Sequence, residues 1–312
     1  MKTNTMLSLV ALAGLCLSVS SALAQNDTQS TPQPPVEHQI GVQDENVEAV
    51  QEAVEQKAVD LEAQRRERVT QDAVTALNEA TSALRHLDNG EYDMAVAALE
   101  RSVGKLELVL RRAPDLALAP VGVSTAIFDI YLDRRSIEDA VEEVQRLVDR
   151  GRIQDARELI NMLRSEIVTS TTYLPMATFP DAIAEVAPLI DEGRYDEARA
   201  LLASTLNTVV VLDRTTALPI LRAQLLLEEA ETLAEKTDRS DDESERLASL
   251  LDSAEEQLRI ADVLGYADKG DFEPFYDELK NIRRKTRGGK SGSGFFNDLR
   301  EGIDSVVNKI AS

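Results

Sequence analysis

The chain contains few of the residues that most often act as nucleophiles, general bases or metal ligands. Its 312 residues include two histidines, one cysteine and no tryptophan. His86 stands near a predicted helix end and His38 lies in a polar segment, so neither has a partner at metal-ligand spacing. A cysteine nucleophile, a Cys/His zinc site and a histidine-based triad are therefore not expected. We predict no catalytic residue, no metal ligand and no cofactor.

Three other groups of residues resemble known binding motifs only in part. Residues 288–291 (GGKS) look like the end of a phosphate-binding loop, but the full G-x-x-x-x-G-K-[ST] spacing and a leading strand are missing. The acidic runs 241–243 and 255–256 lack the central glycine and terminal glutamate of an EF-hand. Tyr92 and Tyr195 belong to a set of aromatic residues too sparse to stack on single-stranded nucleic acid. An enzyme that uses only Asp, Glu, Arg and Tyr stays open, although we predict none.

Charge restricts the classes of partner. The chain has 34 Lys and Arg against 56 Asp and Glu, which gives a net charge of −22 at pH 7. Nucleic acid and anionic lipid would both be repelled, so neither is expected as a general partner. With 43% hydrophobic residues, the chain is long and apolar enough for one large core or two smaller ones.

The N-terminus has the pattern of a secretory signal. Residues 1–24 carry Lys2, a short apolar stretch and a small-x-small ending, and we predict cleavage after Ala24. A retained membrane anchor is the alternative, but about 20 apolar residues are needed to cross a bilayer and this stretch is shorter. Cys16 lies inside the signal, so the mature chain has no cysteine and no disulfide. We therefore predict a periplasmic protein of a Gram-negative type.

Residues 25–46 are polar and proline-containing, and we predict a disordered leader there. An apolar stripe at helical spacing then begins at Val47 and, with one interruption by charged residues at 65–68, continues to Leu87. This helical period opens the predicted helical domain, residues 47–287.

A repeated phrase predicts helical hairpins in this domain. An aromatic or apolar residue stands two positions after Gly90, Gly151 and Gly193, and alanine stands five positions after each; Gly270 shares only the aromatic residue. Glycine ends the first helix in the left-handed conformation, the second residue packs between the helices, and alanine allows close approach. Successive glycines are 61, 42 and 77 residues apart, whereas a tetratricopeptide array repeats at about 34. We therefore predict irregular, bundle-like hairpins rather than a solenoid.

Two β-branched segments, 121–127 and 167–173, interrupt the helical pattern. We predict that they form a small two-stranded β element, and extended connectors are the alternative. Further helices are expected over 181–190, 195–211, 219–236 and 244–264, with an exposed loop at 237–243.

The C-terminal end changes in composition. Six positive charges between Lys280 and Lys290 precede a glycine-rich linker at 288–294 and an amphipathic helix at 295–312. The helix could attach to a membrane or a partner through its apolar face. The alternative is a tail helix that packs back on its own body.

One family resemblance rests on an unusual phrase. Residues 173–180 (YLPMATFP), together with segments at 163–167, 187–198, 206–210 and 218–223, resemble the YfdX family of bacterial proteins over about residues 73–235. The resemblance implies an exported, mainly helical protein with chaperone-like behaviour and a link to acid and envelope stress. It carries over no catalytic residue. The leader helix, the region after Ala234 and the tail depart from it.

These observations predict a mainly α protein that binds without catalysis. One hypothesis is a chaperone-like module whose partners are protein clients. The alternative is a scaffold that oligomerises with itself or attaches to the envelope through its terminal helices. Membrane contact is expected only through the C-terminal helix.

Overall fold

The structure is a computed structural model, and it describes residues 36–37, 44–68, 70–130, 132–268 and 270–310. The predicted cleavage after Ala24, Cys16, His38 and most of the predicted leader lie outside these residues. The predicted helical period from Val47 is divided into α1 (Glu45–Ala49), α2 (Gln51–Arg66) and α3 (Gln71–Asp88).

A main-chain hydrogen bond to the sheet separates α2 from α3. The main-chain N–H of Thr70 donates to the carbonyl of Pro120 at 2.9 Å, which draws the chain towards a strand before α3 begins. On α2, Val54 and Ala58 are fully buried against Ile127 and Ile167 of the sheet. The leader helix is therefore part of the body.

A small sheet lies behind these helices. Its order is β1 (Val36–Glu37), β2 (Leu118–Phe128), β3 (Glu166–Pro175) and β4 (Val210–Ala217). β2 and β3 pair, as predicted, and they run antiparallel with Ile127 opposite Ile167. β4 adds a third antiparallel strand that the sequence did not predict, and β1 pairs parallel with the end of β2.

The other helices follow the sequence prediction with several corrections. They are α4 (Tyr92–Arg112), α5 (Arg134–Asp149), α6 (Ile153–Met162), α7 (Phe179–Ala184), α8 (Val186–Asp191), α9 (Tyr195–Leu206), α10 (Leu218–Glu235), α11 (Asp241–Val263), α12 (Glu273–Thr286) and α13 (Asn297–Ile310). The helix predicted over 195–211 ends at Leu206, where β4 follows. α11 begins within the predicted loop, because Ser240 and Glu243 form a reciprocal capping box.

The predicted glycine turns are confirmed. Gly90, Gly151 and Gly193 have φ of 76°, 73° and 77°. In each turn the glycine N–H and the next N–H bond back to carbonyls of the preceding helix, the pattern of a Schellman cap. The alanines at the inner helix faces are buried, but Ile153 is exposed, so the prediction that it packs between α5 and α6 is wrong.

Two large apolar clusters form the core. One lies among α3, α4 and α7 to α9, and the other among α10 to α13. Leu299 and Ile303 of α13 are buried in the second cluster. The predicted linker is tied to the body, since the Gly292 N–H donates to the Ala234 carbonyl at 3.2 Å. The tail is therefore not free, and the alternative in which it packs on its own body is the one found.

Candidate functional site

Strand β4 forms one edge of the sheet. The order ends at β4, so its main chain has a strand partner only on the β3 side among the described residues. Every second residue of such a strand directs its N–H and C=O away from the sheet. Val211 and Leu212 are 55% and 47% exposed, so apolar side chains accompany these free main-chain groups.

The last part of β4 is covered and the first part is open. Thr215, Thr216 and Ala217 line a small cleft with Val307 and Ile310 of α13. Residues 210–214 lie outside that cleft. We call residues 210–214 the open edge. Along it, every second residue offers a main-chain donor and acceptor to a partner, and apolar side chains stand at its start.

A second apolar surface lies on the hairpin of α5 and α6. Ile153 is 54% exposed, and Val148, Ile160 and Met162 are exposed beside it. The hairpin joins the body through α5, where the Nε of Arg134 donates to Glu256 on α11 at 3.1 Å. Isolated exposed apolar residues are common, but this short hairpin carries four of them, which we call the apolar patch on α5 and α6.

A cavity of about 250 Å³ lies where α1, α5, α10 and α11 meet. Its apolar lining comes from Val47, Ile130, Ile137, Pro219, Ile260 and Leu264, and its polar lining includes Gln257, Ser165 and Arg222. The charged residues Asp44, Asp133, Arg134 and Glu256 also line it, so the cavity combines an apolar surface with a charged and polar one.

A buried ion pair stands beside this cavity. The side chains of Arg222 and Asp129 are almost completely buried and joined by two hydrogen bonds, one of them 3.0 Å from Nη1 to Oδ1. Asp129 also accepts from the Ile130 N–H at 2.9 Å and from the Ser165 hydroxyl at 3.2 Å. Arg222 donates further to Gln51 at 3.1 Å. The pair ties the end of β2 to α10 and α2.

The residues that the sequence singled out have structural surroundings. His86 Nδ1 lies 2.6 Å from Glu91 Oε2 across the first glycine turn. Tyr92 and Tyr195 stack on each other with their ring centroids 3.6 Å apart, so they join two hairpins. Residues 241–243 form the first turn of α11. Among the described residues, no three His, Cys, Asp or Glu side chains come together as a metal site requires.

The carboxylate of Glu255 links α11 to α12. Burial alone would raise its pKa, but hydrogen bonds from Arg259 and Arg283, both at 2.6 Å, hold the pKa below its ordinary value of 4.5. A carboxylate with a lowered pKa stabilises the fold above its unfolded-state pKa, and this contribution is lost as the pH falls through the folded-state value. Acid should therefore loosen the contact between α11 and α12.

We expect Glu255→Gln to reduce the pH dependence of stability. The drop in Tm between pH 6.5 and pH 3.5 should be smaller in this variant, because its side chain does not titrate, while its Tm at pH 6.5 should be lower. The exposed Glu158→Gln on α6 is the control and should keep the full drop. Thermal unfolding followed by circular dichroism measures both, and an unchanged drop in Glu255→Gln would contradict the assignment.

Comparison with known proteins gives a family for part of the chain. Residues 76–215 match the YfdX protein family. We call these residues the YfdX segment. The YfdX segment contains α4 to α9, β2 and β3, and most of α3 and β4, whereas α1, α2 and α10 to α13 lie outside it.

A solved structure of Salmonella Typhi YfdX is also similar to the chain. The two are 17% identical with a TM-score of 0.33, and the similarity covers 48% of this chain and 93% of that one. No curated protein matches the chain. In the described part of the chain, no helix combines the length and the apolar character that a membrane crossing needs.

Neither the open edge nor the cavity was predicted. The helix predicted over 195–211 includes Val209, Val210 and Val211, although their β-branched side chains favour a strand. The cavity lining comes from segments more than 200 residues apart, such as Val47 and Ile260, and no local pattern links them.

Proposed function

We propose that this chain is an exported, non-catalytic protein that binds extended segments of other polypeptides in a chaperone-like manner. The open edge of β4 is the observation that carries the proposal. An extended segment can add to this edge as a further strand, with main-chain hydrogen bonds on one side and apolar contacts to Val211 and Leu212.

Strand addition suits a protein that must accept many clients. Main-chain groups are the same in every polypeptide, so they give affinity without a sequence requirement. Folded proteins usually protect such edges, because an exposed apolar strand pairs with other chains. The net charge of −22 keeps complexes of this chain apart in solution.

The apolar patch on α5 and α6 supports the same function. A partly unfolded client exposes apolar side chains, and Ile153 and Ile160 provide a place for them away from the sheet. The signal-like N-terminus supports export to the periplasm, where unfolded chains arise under envelope stress.

A link to acid stress is part of the proposal. The isoelectric point is near 4.5, so acidification removes the repulsion between the chain and its clients. Carboxylates with lowered pKa values, such as Glu255, release their arginine partners at still lower pH. We therefore expect client binding to increase as the pH falls from 7 towards 4.5.

The scaffold alternative receives less support. It requires free apolar faces on the terminal helices, but Val54 on α2 and Ile303 on α13 are buried in the body. Attachment through α13 would first require this helix to leave the core that it shares with α10 and α12.

The experiment compares two double variants of equal charge change. In Val211→Lys with Leu212→Lys, the open edge carries two cations. In Met94→Lys with Leu108→Lys, two equally exposed apolar residues of α4 are replaced instead. Suppression of aggregation of reduced α-lactalbumin is measured by light scattering. Both variants should fold, since substitutions at exposed positions usually change stability by less than about 0.5 kcal/mol.

We expect the edge variant to lose most of the suppression and the α4 variant to keep it. Equal activity of both variants and the wild type would reject the edge as the client site. No suppression by the wild type at pH 7 or pH 4.5 would reject the function. A wild-type dimer that the edge variant alone abolishes, with no client effect, would show that a second copy occupies the edge.

A further inference from the structure

The cavity between α1, α5, α10 and α11 has an interior suited to a small molecule. Its volume of about 250 Å³ is larger than the cavity of about 150 Å³ that takes up a benzene ring, and it is below the range of about 300–1,000 Å³ typical of drug-sized ligands. A compact bicyclic molecule matches this size.

Gln257 supplies an unsatisfied polar group in this interior. It is only 7% exposed, it lines the cavity, and its side-chain amide forms no hydrogen bond with any described residue. The amide atoms keep some solvent access through the cavity, so a polar group of a bound molecule would replace water as their partner. The amide can donate or accept, and a hydroxyl or a carbonyl would satisfy it.

The charges around the cavity disfavour an anionic ligand. The charge of Arg222 is neutralised by Asp129 and that of Arg134 by Glu256, so neither offers an uncompensated positive charge to an anion, although the buried Nε of Arg222 remains a donor without a partner. Asp133 also lines the cavity, and hydrogen bonds from Ser136 lower its pKa, so it stays ionised. The remaining charge is negative.

We infer that this cavity binds a small, neutral, mainly apolar molecule that carries one hydroxyl or carbonyl group, with Gln257 as its hydrogen-bond partner. The site is separate from the open edge of β4. More than half of its lining residues, mainly from α1, α10 and α11, lie outside the YfdX segment.

Three naphthalene probes test the inference. 2-Naphthol is neutral and carries a hydroxyl, 2-methylnaphthalene has the same shape without one, and 2-naphthoate is an anion. Probe fluorescence reports binding clearly, because the protein has no tryptophan. We expect saturable binding of 2-naphthol, binding of 2-methylnaphthalene that is about fivefold to tenfold weaker, and binding of 2-naphthoate that is weaker still.

Two variants locate the probe. Gln257→Leu keeps the volume and should remove the preference for 2-naphthol over 2-methylnaphthalene. Ile260→Phe fills the cavity and should abolish binding of both. Gln224→Leu, which changes a glutamine in another cleft, is the matched control and should bind like the wild type.

The outcomes are distinct. If 2-naphthol does not bind saturably, or if Gln257→Leu keeps the wild-type preference, the inference is wrong. If circular dichroism shows that Ile260→Phe does not fold, the inference is decided by whether Gln257→Leu has lost the preference for 2-naphthol over 2-methylnaphthalene. The double variant at Val211 and Leu212 should bind 2-naphthol normally, which separates this site from the proposed client site.

Discussion

Replacement of Arg222 by methionine should destabilise the protein by about 3–5 kcal/mol. Methionine removes the charge and the donors but keeps a long side chain, so Asp129 would remain as an unpaired charge in the interior. Because the attraction between the two side chains offsets their desolvation only when both are present, the loss of one partner leaves the full cost of burying the other.

The paired variant shows whether this cause is correct. In Asp129→Asn with Arg222→Met no buried charge remains, and the asparagine oxygen can still accept from the Ile130 N–H and the Ser165 hydroxyl. We expect the double variant to recover most of the stability lost in Arg222→Met. Urea unfolding measures all three proteins.

An exposed arginine provides the control. Arg194 pairs with Glu192 and Glu197 on the surface, and its replacement by methionine should change the unfolding midpoint very little. If Arg222→Met is as stable as Arg194→Met, the buried pair is not a structural tie between β2 and α10.

Truncation of Leu299 or Ile303 to alanine should each cost about 2–5 kcal/mol. Both side chains are buried in the C-terminal cluster, and truncation leaves a cavity among α10, α12 and α13. The packing is close: a Cβ at Gly302 would lie 2.6 Å from Cε1 of Phe275, so only glycine fits there. The cluster has little freedom to collapse around a lost side chain.

Ser305→Ala, at an exposed position of the same helix, is the control and should leave the unfolding midpoint unchanged. The alternative use of α13 as a membrane or partner anchor makes the opposite prediction. In that case Leu299→Ala and Ile303→Ala would leave the unfolding midpoint unchanged and reduce sedimentation with vesicles or with a partner.

Local signals in the sequence were sufficient for the turns and for most helices. A glycine followed by an apolar residue and then alanine specifies a helix end, because only glycine adopts positive φ easily and alanine permits close packing. Gly90 and Gly193 both follow this rule. The pair of β2 and β3 was also predictable, since two β-branched segments flank one hairpin.

Features that depend on distant partners were not predictable. Residues 210–217 become a strand because they pair with β3. The local pattern of residues 195–211 favours a helix and does not reveal this distant partner. The sequence pattern predicts only a basic cluster in the region of α12. Phe275, Leu279 and Ile282 form the buried face of this helix. The candidate sites fall in this class, since both arise from surfaces that meet only after folding.

The junction between β4 and α10 is rigid because no residue separates the two elements. β4 ends at Ala217, α10 begins at Leu218, and the Leu218 N–H donates to the Ser165 carbonyl at 2.9 Å. With no linker between them, the strand and the helix cannot turn independently. A twist of the sheet edge would therefore be transmitted as a rotation of α10, the helix on which the C-terminal helices pack.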